Sequence, residues 1–345
     1  MTAFLFVSFF TLSCLQGQET AGYSLTLEKD LELVGVPLQH PVLSSGPVTA
    51  VQSGPVIVWK PSFTDTSFGS ALLPNSEYYV EVVGPATHPW IGHRFELNEP
   101  ATRTRTDHAL IPATSPWNTK WPIDSSLLGA TIEVHPHITL PYLAEDTLLR
   151  RIQSGGENPK SFQFFLPFPG SVSLAVQANL SGSTLLWQEL TTARTLRPEE
   201  LILPPGSAFG IKFGDRSGLS RGFSGLVRTV SCPAPLRKGY NCVSYPFPRD
   251  LRLGVDWGSS IEGFKSSSTP KGVDRIELCQ GVQKKRYALF SATPSGPSKW
   301  RLINSARVDR WASPAQYLEK VDVGEGFLIW KEKADPLHTF RPPNP

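Results

Sequence analysis

LILPPGSAFGIKF (Leu201–Phe213) and VDVGEGFLIWK (Val321–Lys331) are the stretches on which the reading of this chain turns. Both contain Gly-x-x-Phe-x-Ile: Gly206, Phe209 and Ile211 in the first, Gly324, Phe327 and Ile329 in the second. Phe and Ile two residues apart fall on one face of a strand, and the Gly ahead of them marks a turn into it. The second copy comes 118 residues after the first, counted from Gly206 to Gly324. One strand written twice points to a duplicated β-unit.

The match extends backwards. Each copy is preceded by a strand carrying a Trp, LLWQEL around Trp187 and SKWRLI around Trp300. Ahead of these stand SVSLAV (Ser171–Val176) and RYALF (Arg286–Phe290), then SFQFFLPFPG (Ser161–Gly170) and DRIELCQG (Asp274–Gly281). Each series opens with a polar turn and a Pro-led strand, HPHITLPYL in one and FPRDLRLGV in the other. This order predicts two modules at 129–228 and 239–345, joined by a linker at 229–238 and preceded by an N-terminal β domain at 18–128. About a hundred residues suits a small β-sandwich or barrel. GYSLTLEKDLELVGVPL, from Gly22, echoes GYNCVSYPFPRDLRLGV, from Gly239, which suggests that first strands are shared or swapped between units.

Alternation elsewhere agrees. Tyr23–Leu27, Tyr78–Val83, Arg94–Leu97, Thr131–Val134 and Arg275–Leu278 read as strands, with Gly, Pro or Asn-Ser in nearly every gap. Pro55–Trp59 is a short apolar run of the same kind. Helical periodicity is confined to Asp146–Ile152 and to a capped start at Ser313–Tyr317. The class expected is all-β, tandem small modules with short helical insertions. The 40% hydrophobic and 18% charged content is too apolar for a disordered chain. A net charge of +3 with scattered basic residues, densest at Lys284-Lys285-Arg286, lacks the broad basic stripe of a nucleic-acid binder.

The first residues differ in kind. Ala3–Leu15 is apolar apart from Ser and Thr, long enough for a signal-peptide core and too short to span a bilayer. A leader at 1–17 places the chain outside the cytoplasm: secreted, periplasmic or at the cell surface. Cys14 offers lipid attachment as a second route. No later segment is apolar enough to span a membrane. Export permits disulfides. Of Cys232, Cys242 and Cys279, the pair Cys232–Cys242 closes the shortest loop, and a bridge there would contribute about 3 kcal/mol in the loop-entropy view. Cys242–Cys279 is the rival pairing, and three reduced thiols the plain alternative.

YYVEVVG…GHRFELN resembles the Tyr-Tyr-Val…Gly-Arg-aromatic signature of a multi-copy family of secreted, β-rich bacterial proteins of unknown function, Verrucomicrobia-type. GATIEVHPHITLPYL, LPPGSAFGIKF and VGEGFLIWK resemble further segments of that family, in its order. The family's Asp and Trp are replaced here by Ala130 and Ile138. The resemblance implies secretion and repeated β architecture, and it carries no catalytic residue.

Catalytic signals are sparse. Gly218-Leu219-Ser220-Arg221-Gly222 fits the nucleophile-elbow string, but Gly-rich, strand-like sequence follows where the elbow needs a helix. His135 and His137 alternate onto one strand face, yet Pro136 lies between them and no third ligand converges, so no metal or other cofactor is expected. Glu28, Asp30 and Glu32 alternate along a solvent face, and Asp322 and Glu325 shape a turn. Trp117 and Trp121, in the Pro-flanked loop PWNTKWP, are the binding candidates, since exposed rings stack on sugars or anchor proteins. The expected function is therefore a non-enzymatic binding or structural module contacting polysaccharide, or an envelope or matrix protein, with no nucleic acid. The alternative is a secreted glycan hydrolase with an Asp/Glu pair.

Overall fold

The computed structural model describes residues 9–15, 18–27, 31–53, 56–59, 77–97, 108–112, 115, 117–119, 122–155, 158–167, 174–212, 219–228, 234–253, 264, 266–280, 283–293, 298–333 and 339–340. The protein is all-β, with one α-helix, Leu140–Gly155, among the described residues. No helix there is long and apolar enough to cross a membrane.

An eleven-stranded sheet forms the spine. Its first half runs Thr195–Leu196, Thr184–Glu189, Leu174–Ser181, Gln163–Leu166, Ala208–Lys212 and Leu31–Gly35. Its second half holds Gly239–Ser244, Gly326–Lys331, Arg275–Gln280, Gln283–Phe290 and Lys299–Leu302. The ladders correspond position by position. Phe209 lies opposite Val34 and Ile211 opposite Glu32 and Phe164. Phe327 lies opposite Val243, and Ile329 opposite Asn241 and Ile276. Trp187 faces Ala178 in one half, and Trp300 faces Leu289 in the other. Both tryptophans are 3% exposed, and each meets a Phe edge-on at 5.5 Å, Phe164 and Phe264 respectively.

The turns ahead of the two Phe strands also agree. Gly206 and Gly324 have φ of 75° and 73°, a region that costs other residues and suits glycine. Ser207 N–H donates to the Pro204 carbonyl and Glu325 N–H to the Asp322 carbonyl, each at 3.0 Å. The halves exchange bonds reciprocally where they meet: Gly35 N–H donates to the Gly324 carbonyl at 2.9 Å, and Ser244 N–H to the Gly206 carbonyl at 3.0 Å. Leu31–Gly35 thus stands beside Ala208–Lys212 as Gly239–Ser244 stands beside Gly326–Lys331. It also touches the second half directly, Glu32 opposite Gln280.

Alternation divides each strand into a core face and an outward face. Phe164, Val176, Trp187, Phe209 and Ile211 enter one core, joined by Val34, Val36, Ile138 and the helix. Ile276, Leu278, Leu289, Trp300, Phe327 and Ile329 enter a second. The helix buries Leu140, Leu143, Ala144, Leu148 and Ile152, one stripe at helical spacing. It begins six residues before the expected Asp146, because Pro141 is tolerated in a first turn. At Ser313–Tyr317 no helix forms. That chain instead completes the sheet edge: Leu302 N–H donates to the Gln316 carbonyl and Leu318 N–H to the Trp300 carbonyl, both at 2.8 Å.

Between Leu38–Gln39 and Ile138–Thr139 the chain builds a separate six-stranded sheet: Arg94–Leu97, Tyr78–Gly84, Thr131–Pro136, Ser44–Gln52, Val56–Trp59 and His108–Leu110. Val80, Val82, Phe95, Ile132, Val134, Trp59 and Trp90 form its own core. Thr131–Pro136, which the sequence order puts at the head of the first module, pairs here with Ser44–Gln52 and Tyr78–Gly84. A four-stranded sheet joins Phe9–Leu15, Gln18–Leu27, Leu219–Val227 and Leu38–Gln39.

Candidate functional site

The sequence candidates land in three kinds of place. Ser220 lies inside Leu219–Val227, opposite Thr26 in an antiparallel ladder, and not on a strand-to-helix turn. Trp117 is 9% exposed, and the neighbouring Asn118 and Thr119 side chains bond the backbone of Arg94–Leu97. Trp121, Cys232, Glu28 and Asp30 lie outside the described residues, and Cys14 falls within the strand Phe9–Leu15. Cys242 and Cys279 are free thiols, and burial pushes the Cys242 thiol up to about 12, with Cys279 adding to the rise. Asp322 and Glu325 close their turn, Asp322 N–H donating to Glu325 Oε2 at 3.2 Å.

His135 and His137 do share one neighbourhood, on the polar face of the inserted sheet. In register across three strands, His135, Tyr79 and Glu96 form one row, and Glu133, Glu81 and Arg94 the next. The Tyr79 ring lies 5.3 Å from His135 and 4.8 Å from His137. His137 Nε2 is 2.7 Å from Glu96 Oε2, and His135 Nε2 is 3.1 Å from Glu133 Oε2. This face is closed by the turn ahead of Ala208–Lys212 and by the end of the four-stranded sheet. Arg94 Nη1 donates to the Pro205 carbonyl, Arg228 Nη2 pairs with Glu81, and Arg228 Nη1 donates to Gln39 Oε1 at 2.8 Å. Glu81 and Glu96 are 1% and 6% exposed. These carboxylates are close together, as a hydrolase pair would be, but Glu81 and Glu96 are buried and each meets a cationic or imidazole partner. A sugar could reach them only by displacing the module that covers them. Among the described residues no group of three ligating side chains is placed to hold a metal ion.

The outward face of the second half is different. Tyr240, Trp330, Arg275, Ala288 and Arg301 form one row across five strands. Cys242, Leu328, Glu277 and Arg286 form the next. The Tyr240 and Trp330 rings meet edge-on at 4.8 Å, and the Arg275 guanidinium lies 5.2 Å over Trp330. Arg301 lies 4.9 Å over Phe290 and 5.5 Å over Trp311, and Lys299 lies 5.7 Å over Tyr317. Glu277 sits beneath, 0% exposed, with Arg286 Nε donating at 3.1 Å and Tyr240 Oη at 3.5 Å, and with Arg275 Nε 3.8 Å away as an ion pair. A buried carboxylate thus orients two guanidiniums on neighbouring strands, and aromatic rings support a third. Tyr240 and Tyr317 remain 37% and 44% exposed.

Such a surface holds fixed positive charge in a preorganised plane. Guanidiniums present planar pairs of donors suited to carboxylate and sulfate groups. Rings that stay in place bury area at little entropic cost. The grouping of these arginines was not flagged by the sequence, since Arg275 and Arg301 stand apart along the chain and Arg286 belongs to the short basic run Lys284-Lys285-Arg286. In space Arg275 lies on Trp330 and Arg301 on Trp311, while Arg286 holds Glu277. No protein-family model, no curated protein and no solved structure matches the chain.

Proposed function

We propose that the chain is an exported, non-enzymatic binding protein made of two copies of one β-module, and that the second copy contacts an acidic polysaccharide through its outward face. The shared ladder registers, the paired Gly turns and the matched tryptophans support duplication. The apolar start Ala3–Leu15 supports export. The observation that carries the binding reading is the plane of Arg275, Arg286 and Arg301 with Tyr240, Trp330 and Trp311, against a single buried counter-charge in its midst, Glu277. An extended chain of sugars bearing carboxylate or sulfate groups complements a flat cationic sheet. Single-stranded nucleic acid is the poorer partner, because stacking bases need open ring faces and guanidiniums already cover Trp330 and Trp311.

The test is an array of uronate-bearing, sulfated and neutral polysaccharides probed with the purified chain, together with a screen for released sugar. Wild type is expected to retain the acidic glycans, with affinity falling as salt rises. The double substitution Arg275→Gln and Arg301→Gln installs the residues that the first half carries at these places, Gln163 and Gln188, and should weaken binding at least about tenfold, the effect of about 1.4 kcal/mol. Unchanged binding in that variant, or capture of an acidic envelope protein and no glycan, overturns the proposal. Sugar release that disappears on substitution of one Asp or Glu would make the chain a hydrolase instead.

A further inference from the structure

Among the described residues the chain enters the inserted sheet from Leu38–Gln39 and leaves it into Ile138–Thr139, and histidines stand at both crossings. The chain leaves Leu38–Gln39 through His40 and returns from Thr131–Pro136 through His137 into Ile138–Thr139. His135 ends the returning strand. Its Nδ1 lies 3.0 Å from the His40 carbonyl and its Nε2 3.1 Å from Glu133. Both of its ring nitrogens thus face oxygen atoms, one on each side of the crossing. His137 Nε2 faces Glu96, while its Nδ1 is buried without a hydrogen-bond partner. Tyr79 packs against both rings from the neighbouring strand, and Tyr142, on the helix of the first half, covers His40 edge-on at 4.5 Å.

His40 is the odd member. His135 and His137 each have a carboxylate, whereas among the described residues no carboxylate pairs with His40. If all three rings carried protons, two charges would be answered and the third would not. Burial, then the charges of His135 and of His137, hold the His40 ring below the ordinary histidine value.

The geometry points to an acid-sensitive hinge: protonation of His40 loosens both crossings and releases the inserted sheet from the first module. His40 is half-buried under the Tyr142 ring, and a new cation there would press on His135 and His137 with no carboxylate of its own among the described residues. A ring held below its ordinary value binds fewer protons in the closed form than in the open one. Closure is therefore complete above the ordinary value of 6.5 and is lost progressively as the pH falls beneath it. The hinge stands apart from the binding face and does not depend on it.

Amide hydrogen exchange on the full chain tests this, with protection corrected for the intrinsic pH dependence of exchange. Between about pH 7.5 and about pH 5, the range in which histidine titrates, protection across the two crossings and the strand Thr131–Pro136 should fall at least about tenfold in wild type. His40→Gln, which cannot take up the proton, should keep protection within about twofold over the same range, a difference well below one pKa unit. Tyr142→Ala exposes His40 at a position already 42% exposed, and should move the midpoint upward toward the ordinary histidine value. Wild-type protection that does not change with pH, a His40→Gln chain that follows the wild-type curve, or a Tyr142→Ala chain with an unmoved midpoint overturns the hinge. If His40→Gln fails to fold, the Tyr142→Ala midpoint decides alone.

Discussion

Gln163 and Arg275 hold the same place in the two halves of the long sheet, each on the strand next to the Gly-x-x-Phe-x-Ile strand and opposite its outward residue, Lys212 or Trp330. The rest of that row follows: Gln177 and Gln188 in the first half stand where Ala288 and Arg301 stand in the second. One row further on, Phe165 and Ala175 answer to Glu277 and Arg286. The first half shows neutral amides, with Asn179 donating to Gln188 at 3.2 Å, and the second half shows guanidiniums on rings. Inward, the same strands keep Phe209 with Phe327, Ile211 with Ile329 and Trp187 with Trp300. Close packing resists change of volume on the core face, and water tolerates it on the other. The outward rows are therefore where the two halves differ most in chemistry.

That comparison can be broken at its strongest point. Phe209→Ala and Phe327→Ala each remove a ring that is at most 2% exposed, and each should lower unfolding free energy by about 3–5 kcal/mol. Denaturant titration of both variants should give losses of similar size. A cost at one site and none at the other would show that the two places are not equivalent.

A smaller effect is expected where the halves touch. A β-carbon on Gly35 would lie 2.2 Å from that of Ser244, and one on Gly326 would lie 2.4 Å from that of Ala208. Gly35→Ala and Gly326→Ala should each cost about 1–3 kcal/mol as the two halves are forced apart. Melting curves would check this, and adding Ser244→Gly should recover much of the Gly35→Ala loss. Failure of that rescue would mean the halves are not held at this contact.

The smallest effect separates Glu325 from its counterpart Ser207, each of which bridges to the first strand of the other half. Burial raises the Glu325 carboxyl to about 7, against the Asp322 N–H bond, which pulls it down, and with the Asp322 charge adding a smaller rise. An acid raised in the fold favours the native state fully below its ordinary value of 4.5, and that contribution is lost as the pH rises through about 7. Glu325→Gln should therefore gain stability relative to wild type on going from about pH 4.5 to about pH 7.5, by roughly 1 kcal/mol after allowance for solvent screening. Ser207→Ala should show no such pH dependence. Parallel pH profiles for wild type and Glu325→Gln would remove Glu325 from the contact.

Much of the framework was legible because its signals are local. Phe209 and Ile211 fall on one face by alternation, Gly206 and Gly324 adopt a turn that favours glycine, and Trp187 and Trp300 stand at matching ladder places as their spacing implied. The echo between the chain's start and Gly239 sets Gly22 against Gly239, whereas the ladders set Leu31–Gly35 in the place of Gly239–Ser244. Leu31–Gly35 does stand beside the first Phe strand, although the register of the echo is not the register of the ladder. What was hidden depends on pairing. Thr131–Pro136 reads like any strand, and its alternation cannot say which neighbour it joins. Trp117 reads as a loop residue, and only packing makes it a buried one. Ser313–Tyr317 has a helix start, but an open sheet edge nearby captured its backbone groups.

By itself the sequence determined an all-β chain with one short strand written twice, because side-chain alternation and glycine turns act within a few residues. The tertiary structure alone decided that His40 meets His135 across 95 residues and that Arg228 closes over Glu81 across 147. It also decided that three scattered arginines share one sheet face. Those contacts depend on which strand edges find each other and on which polar groups must be answered once water is excluded, and neither is written in any local stretch of the chain.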